Sequence, residues 1–257
     1  MLWPSRSAAV TERGPSAYPD EGRPLSDGEV HFLWWFIQGS IMDLHTRQRL
    51  WRAWGLCARH AWGALTVEAA FRPSLLHGPA LLYQDLMERA WRAFPRRGPA
   101  QAWRLLWGLR ARGPCLMCAA GLGAETPGAA AAEILLQGRD PRNLRALAAQ
   151  TRPYWEPTVC GCCGGSGMPV RCRPHLLAAI ARGEPLDLSL QRALVEETAR
   201  RVAVFARSFR LECRGCETTA DRAALLTAVG WCSGWGPALQ QLVPEAAGLR
   251  PEEARAR

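Results

Sequence analysis

Four short pairs of metal-binding residues constrain this chain of 257 residues more than any other feature. In each pair, two residues separate the members, so that one tight turn can present both side chains to a single ion. In chain order, the first to fourth pairs are Cys115/Cys118, Cys160/Cys163, Cys172/His175 and Cys213/Cys216. Because a tetrahedral zinc site needs two such turns, the four pairs predict two complete zinc sites. An iron–sulfur cluster is the alternative cofactor.

The spacing leaves the grouping of these pairs open. The second and third pairs are separated by only eight residues, and the short loop between them costs little closure entropy. They can form a compact site of three thiolates and one imidazole, with the first pair sharing an all-thiolate site with the fourth. In the other grouping, the first pair joins the third and the second joins the fourth. Both groupings use the same eight residues.

Three further thiols have no assigned partner pair. Cys57 and His60 repeat the Cys-x-x-His spacing at the start of a helical segment, and a packing role is expected for them. Cys162 lies between two predicted ligands, as an alternative ligand or a spare thiol. Cys232 begins a similar spacing that ends in Trp235 and has no second ligand.

Hydrophobic periodicity predicts an all-α fold with loops pinned by zinc. Apolar residues at steps of three and four predict one buried helix from Val30 to about Trp54, ended by Gly55. Asp140-Pro141 is typical of a helix start, and Thr218 with Asp221 forms a capping signal for the last helix. Further helices are predicted over about 57–70, 78–94, 99–110 and 187–209. In these helices Trp91, Trp103 and Trp107 have a core-like spacing.

The domain organisation follows from changes in composition along the chain. Residues 1–24 are rich in Pro, Gly and Ser and predict a disordered lead-in, and residues 244–257 predict a charged tail. Residues 25–112 form a first helical module, and residues 113–243 a second one that carries the metal sites. The segment 153–174 has no regular period, so we expect a cross-link or a metal to order it.

Composition and charge limit the expected cellular location and the expected class of binding partner. Apolar residues make up 48% of the chain, which is enough for a core, but no run approaches the roughly 18 apolar residues of a membrane span. The low cysteine density and the absence of an apolar leader favour a reducing, cytoplasmic location. The net charge of +9 comes from arginine alone, which is compatible with nucleic acid, although no cluster of basic and aromatic residues sharpens that interpretation.

Parts of the chain resemble an uncharacterised bacterial family of helical proteins over about residues 23–210. The resemblance is carried by Phe32-Leu-Trp-Trp-Phe36, Gly55-Leu-Cys-Ala-Arg-His60 and Tyr83-Gln-Asp-Leu86. That family has tandem modules of Cys-Pro-x-Cys, a long helix and Gly-x-Cys-x-x-His. Arg23 and Ser26 stand where the first module has its cysteines, so the resemblance implies that the metal site of the first module is lost. It also favours the grouping of the first pair with the third, and it implies no activity.

Three functions are compatible with these residues. The first is a structural-zinc protein that acts as an interaction or accessory protein, because filled four-ligand sites leave no position for a substrate. The second is an iron–sulfur or dithiol redox protein or enzyme that uses the same cysteines. The third is a zinc-dependent nucleic-acid-binding regulator. The expected partner is a protein, with nucleic acid as the weaker alternative and no membrane.

Overall fold

The computed structural model describes residues 23–71, 76–94, 101–164 and 169–242, and every regular element in these ranges is a helix. This confirms the all-α prediction. The α-helices are α1 Asp27–Ile37, α2 Leu44–Ala53, α3 Ala58–Phe71, α4 His77–Ala93, α5 Gln101–Leu109, α6 Leu116–Ala119, α7 Ala132–Gly138, α8 Arg142–Trp155, α9 Arg173–Ala181, α10 Leu188–Arg207, α11 Thr219–Ser233 and α12 Gly236–Leu242. Short 3-10 turns lie at Ser40–Met42, Glu156–Thr158, Gly161–Cys163 and Leu211–Cys213.

The long helix predicted from Val30 to about Trp54 is two helices in the structure. The chain leaves α1 through Gly39, whose φ of 151° is accessible to glycine and not to residues with a side chain. Asp43 then caps α2, because its side chain accepts a hydrogen bond from the Thr46 N–H at 2.8 Å. The prediction failed here because the apolar period continues across a glycine that breaks the backbone path.

The centre of the molecule is formed by α4, α8, α10 and α11, which make the most extensive helix–helix contacts. Helix α11 is buried on nearly all sides, and its start carries the predicted capping box between Thr218 and Asp221. The inner stripe of α10 includes the buried residues Val195, Thr198 and Val202, as its periodicity predicts. These helices form an apolar core, and the buried Cys160 and Cys172 of the second and third pairs belong to the same cluster of side chains.

A stack of three tryptophans joins α3, α8 and the start of α12. Trp235 lies between Trp62 and Trp155, with ring centroids 5.7 Å from each. The close approach requires Gly230, because a Cβ at that position would lie 2.2 Å from the Trp235 ring. The chain that follows the core helices is therefore tied back onto the N-terminal part of the molecule.

Several sequence predictions differ from the structure in detail. Helix α8 continues through Pro153 to Trp155, and part of the segment that follows forms 3-10 turns instead of an irregular loop. The short helices α6, α7 and α12 carry too few residues to show a period. Trp103 and Trp107, which have a core-like spacing, are 64% and 62% exposed, because α5 buries its opposite side through Leu105 and Leu109.

Two further expectations concern the ends of the chain and membrane-spanning helices. The predicted lead-in and tail lie outside the described residues, apart from residues 23 and 24. Within the described ranges, no helix combines the length and the apolar character that crossing a membrane requires.

Candidate metal centres

The structure gathers eight cysteine and histidine side chains into two groups of four. The first cluster consists of Cys57, His60, Cys115 and Cys118, and the second of Cys160, Cys163, Cys172 and His175. In each cluster, the four ligand atoms lie within 4.8 Å of one another. Each cluster contains one Cys-x-x-Cys pair and one Cys-x-x-His pair, and each can hold a metal ion.

Both Cys-x-x-His pairs sit at the start of a helix. Cys57 immediately precedes α3 and Cys172 is the N-cap of α9, while His60 and His175 lie in the first turns of these helices. This arrangement follows from the spacing, because the residue before a helix and the third residue within it lie on the same side of the helix start. The partial positive charge of a helix N-terminus also favours a thiolate there.

The first cluster converges on one imidazole nitrogen. His60 Nδ1 lies 3.2 Å from Cys57 Sγ and 3.5 Å from the Sγ atoms of both Cys115 and Cys118. The Sγ atoms of Cys57 and Cys118 are 3.8 Å apart. Cys115 and Cys118 are presented by the single turn of α6, which packs near α2.

The second cluster has nearly the same geometry. His175 Nδ1 lies 3.1 Å from Cys172 Sγ and 3.4 Å from the Sγ atoms of Cys160 and Cys163. The Sγ atoms of Cys163 and Cys172 are 3.8 Å apart. Cys160 and Cys163 are held by the 3-10 turn Gly161–Cys163, which ends at Gly164 with φ of 108°.

These distances match the edges of a tetrahedron around one zinc ion. With zinc–sulfur bonds of about 2.3 Å and zinc–nitrogen bonds of about 2.0 Å, the expected edges are about 3.8 Å between sulfurs and about 3.5 Å between sulfur and nitrogen. The two sulfur–sulfur distances and the six nitrogen–sulfur distances given above fall at or slightly below these values. All ten cysteines of the chain are free of disulfides.

Thiols packed this closely cannot all ionise without a cation. In the second cluster, burial raises the pKa of Cys172 well above its usual range, and the hydrogen bond with Cys160 raises the pKa of Cys163 to about 12. In the first cluster, the hydrogen bond from Cys57 lowers the pKa of Cys115 to about 3. The hydrogen bond between these two thiols raises the pKa of Cys57. These mutual shifts oppose the ionisation of all three thiols in a cluster, and a divalent cation would favour it.

A buried carboxylate orients the imidazole of the first cluster. Glu29 is 0% exposed, and its Oε1 lies 2.9 Å from His60 Nε2. Because Nδ1 faces the thiols, this contact places the imidazole hydrogen on Nε2, which donates to the carboxylate. Arg59 donates to both Glu29 oxygens at 2.7 Å, and the Ser26 N–H donates to Oε2 at the same distance.

The same contacts keep Glu29 ionised. Burial alone would raise the pKa of Glu29, but the hydrogen bonds from Arg59, His60 and Ser26 together lower it far below its ordinary value. Ser26 also caps α1, and its hydroxyl donates to the Gly123 carbonyl at 2.7 Å. The start of α1 is therefore part of the outer shell of the first cluster.

The two clusters face a common cleft of about 320 Å³. Cys57 and Cys115 line it from the first cluster, and Cys163, Cys172 and His175 line it from the second. Arg173 also lines the cleft, and its guanidinium donates to the Cys232 carbonyl at 2.9 Å and to the Leu109 carbonyl at 3.1 Å. Two metal ions would thus fix the opposite walls of one cleft.

The structure corrects the grouping of the sequence pairs. The second and third pairs form one cluster, as the first of the two open groupings predicts. Cys115 and Cys118 join neither the third nor the fourth pair, so both groupings are wrong for them, as is the grouping that the family resemblance favours. The structure places Cys57 and His60 beside them instead, where the four side chains could hold one metal ion. A repeated Cys-x-x-His pair that again opens a helix was the available signal for them.

The fourth pair stands apart from both clusters. Cys213 ends the 3-10 turn between α10 and α11, and Cys216 is exposed on the following turn, where its N–H donates to the Cys213 carbonyl at 3.0 Å. Within the part of the chain that the structure describes, no third ligand joins this pair. This pair has the sequence spacing of a half-site, but the described part of the fold brings no second pair to it.

The other two cysteines also lie outside the clusters. Cys162 is exposed at the rim of the cleft, where Arg171 donates to its Sγ at 2.8 Å. Cys232 is fully buried in α11 and contacts the Met87 sulfur at 3.9 Å.

Comparison of the chain with protein-family models, with curated proteins and with solved structures finds no match. The geometry of the two Cys₃His clusters is therefore the main guide to function.

Proposed function

We propose that this chain is a structural-zinc protein that holds one Zn²⁺ in each Cys₃His cluster and acts as an interaction or accessory protein. The observation that carries the proposal is the pair of four-ligand sets, whose nitrogen–sulfur and sulfur–sulfur distances given above are close to those expected around one zinc ion. Thiolate and imidazole are also the ligands that zinc prefers in structural sites.

The spacing of the sulfurs favours a single ion over an iron–sulfur cluster. In such a cluster, the cysteines bind different iron atoms, so their sulfur atoms lie farther apart than those around one ion. Here the three sulfurs and the imidazole nitrogen of each site all lie within 4.8 Å of one another. A single divalent ion with four protein ligands is the simplest occupant.

A structural role follows from the closed coordination. Four protein ligands complete the tetrahedron, so that no position remains for a substrate or a reactive water. The ion then contributes to folding, and the fold presents a surface to a partner. The outer shell of Glu29 and Arg59 supports this role, because it immobilises the His60 ring.

Cobalt substitution tests the proposal. The protein is freed of metal, kept reduced and titrated with Co²⁺ while its visible spectrum is recorded. We expect two equivalents to bind, with the intense d–d bands of tetrahedral cobalt and the charge-transfer bands of thiolate ligands, and Zn²⁺ to displace both. Weak octahedral bands, or saturation below one equivalent, would contradict the proposal. A brown protein containing iron and sulfide, when purified without oxygen, would also contradict it.

A further inference from the structure

The outer side of α5 exposes two stacked indole rings. Trp103 and Trp107 are four residues apart and so share one helix face. Their ring centroids are 6.2 Å apart, and the ring planes differ by 14°. Leu105 and Leu109 face the core and are fully buried, so the orientation of the helix is fixed. The indoles are therefore held outward by the packing of α5.

Three arginines lie within five residues of Trp107 in the sequence. Arg104, Arg110 and Arg112 are exposed, and the Arg112 guanidinium lies 5.6 Å from the centre of the Trp107 ring. No carboxylate in the described ranges forms a salt bridge with any of the three. Many other exposed arginines are paired, as Arg92 is with Glu88 and Arg200 with Glu197. Among the described residues, no carboxylate therefore neutralises the charge of these three side chains.

The sequence around α5 has the same character. Between Glu88 and Glu125 there is no acidic residue, whereas the interval contains seven arginines. The chain as a whole has a net charge of +9, and six thiolates with two zinc ions would leave about +7. A polyanion would therefore be attracted to the molecule and to this region in particular.

We propose that the Trp–Arg face, formed by Trp103, Trp107, Arg104, Arg110 and Arg112, binds single-stranded nucleic acid. Bases stack on the exposed indoles, and the arginines contact the phosphates of the same strand. Such a surface binds many sequences, because every base has an aromatic face to stack. Sequence periodicity does not identify this surface, because the spacing of Trp103 and Trp107 is equally typical of tryptophans that face the core.

Charge and shape favour this occupant over two others. A helix that lies on a membrane needs aliphatic residues beside its tryptophans, whereas Leu106 is half-buried and the other two leucines of α5 are buried. A second copy of the chain, docked symmetrically, would bring two sets of unpaired arginines together and would be repelled. A single strand supplies both the aromatic surfaces and the negative charges.

The inference rests on the proposed function in one respect, because the metal sites fix the elements beside this face. Helix α5 packs on α9, whose N-cap is Cys172 of the second cluster. Arg112 lies three residues before Cys115 of the first cluster, and its N–H donates to the Arg52 carbonyl at 2.8 Å. Loss of metal would therefore also disturb binding, and each variant below is first checked for its zinc content.

Binding is measured by the fluorescence anisotropy of labelled single-stranded RNA and DNA of mixed sequence, each 20 nucleotides long, with the zinc-loaded protein. We expect the W103A/W107A variant to bind at least about tenfold more weakly, since stacking on one aromatic side chain is worth roughly five- to hundredfold in affinity. The matched control is Trp35→Ala, which removes a tryptophan of 55% exposure from α1. Trp35→Ala should leave the affinity unchanged.

The arginines are tested through the salt dependence of binding. In the R104Q/R110Q/R112Q variant, the slope of log affinity against log salt should become less steep by about 2, because each phosphate contact to a single strand contributes about 0.7 to its magnitude. The control variant R207Q/R210Q/R214Q removes the same charge from exposed arginines near the end of α10. Its slope should change far less than that of the α5 variant.

Four outcomes would overturn the inference. Equal losses in the two arginine variants would show attraction by net charge alone, and full affinity in W103A/W107A would exclude stacking. Trp-dependent binding to vesicles with anionic lipids, without binding to either oligonucleotide, would identify a membrane surface. A dimer of the wild type that W103A/W107A converts to a monomer would identify self-association. If W103A/W107A retains its zinc, a failure of this inference leaves the proposed function intact.

Discussion

Cys57 illustrates how one residue can have two meanings in the sequence. A Cys-x-x-His pair at a helix start predicts a half-site for metal, but a tetrahedral site also needs two ligands from a second pair. The partner of Cys57 lies 61 residues away at Cys118, with 3.8 Å between the two sulfurs. A local turn is encoded by the few residues that form it, whereas the partner of that turn depends on the whole path of the chain between them.

The Cys57→Ser substitution should cost one of two bound zinc ions. A serine hydroxyl is a poor zinc ligand, so the first site would hold its metal weakly while the second stays filled. Because metal binding to a structural site is linked to folding, we also expect the free energy of unfolding to fall by several kcal/mol. Zinc content and a denaturant melt measure the two effects.

The matched control for that experiment is Cys162→Ser. Cys162 is exposed beside the second cluster but belongs to neither site, so this variant should keep two zinc ions and its stability. If Cys57→Ser retained both ions, or Cys162→Ser lost one, the assignment of ligands would be wrong.

The Glu29→Gln substitution should destabilise the protein by about 3 kcal/mol, the usual result of removing one member of a buried ion pair. Gln would leave the Arg59 guanidinium without its counter-charge and would weaken the hold on His60. Thermal and urea unfolding of the zinc-loaded protein measure the change. An effect below about 0.5 kcal/mol would show that the carboxylate has no supporting role.

The pH dependence of that loss has a definite sign. The pKa of Glu29 is lower in the folded chain than its ordinary value of 4.5. The stability that its charge provides is therefore fully present above about pH 4.5 and declines as the pH falls below that value. The difference between wild type and Glu29→Gln should be constant near neutral pH and should shrink in acid. A difference that grows in acid would contradict this account.

At the scale of the helices, the sequence predicts existence and type well and continuity less well. The period of α10 and the capping box of α11 are local signals, and both appear in the structure as expected. Periodicity predicts neither the break at Gly39 nor the outward face of α5. An apolar stripe shows which face of a helix is apolar, but it does not show whether another part of the chain covers that face. Helix packing, which involves distant residues, decides that question.

The Gly230→Ala substitution should disturb the packing of α11 against the tryptophan stack. The added methyl would lie 2.2 Å from the Trp235 ring, which is held between Trp62 and Trp155. We expect a loss of about 3 kcal/mol, at the upper end of the usual cost of overpacking. A shift of the urea midpoint measures it.

Gly113→Ala is the matched control, because a Cβ at Gly113 would meet no atom within 4 Å. Its urea midpoint should remain close to that of the wild type. If Gly230→Ala were as stable as Gly113→Ala, the tryptophan stack would be looser than the structure indicates.

At the scale of the whole molecule, we expect the apolar core and the proposed metal sites to stabilise different parts of the fold. Helices α4, α8, α10 and α11 pack through buried apolar side chains. Bound metal would instead fix segments with little regular structure, around Cys115 to Leu122 and around Val159 to Gly164. The core could be predicted from the period of the sequence, but the way in which the two sites share one cleft could not.

Removal of metal should therefore loosen the molecule unevenly. After chelation under reducing conditions, hydrogen exchange should rise first at the amides of residues 113–122 and 159–164, and the amides of α10 and α11 should stay protected longest. Loss of protection throughout the chain in a single step would show instead that the core depends on the metal.

The most direct test of the central claim is the number of zinc ions per chain in the purified, reduced protein, measured by elemental mass spectrometry for the wild type and for C213S/C216S. The account predicts two ions in both proteins, because the fourth pair belongs to neither cluster. A wild type with no zinc would contradict it, and so would a C213S/C216S variant that keeps only one ion.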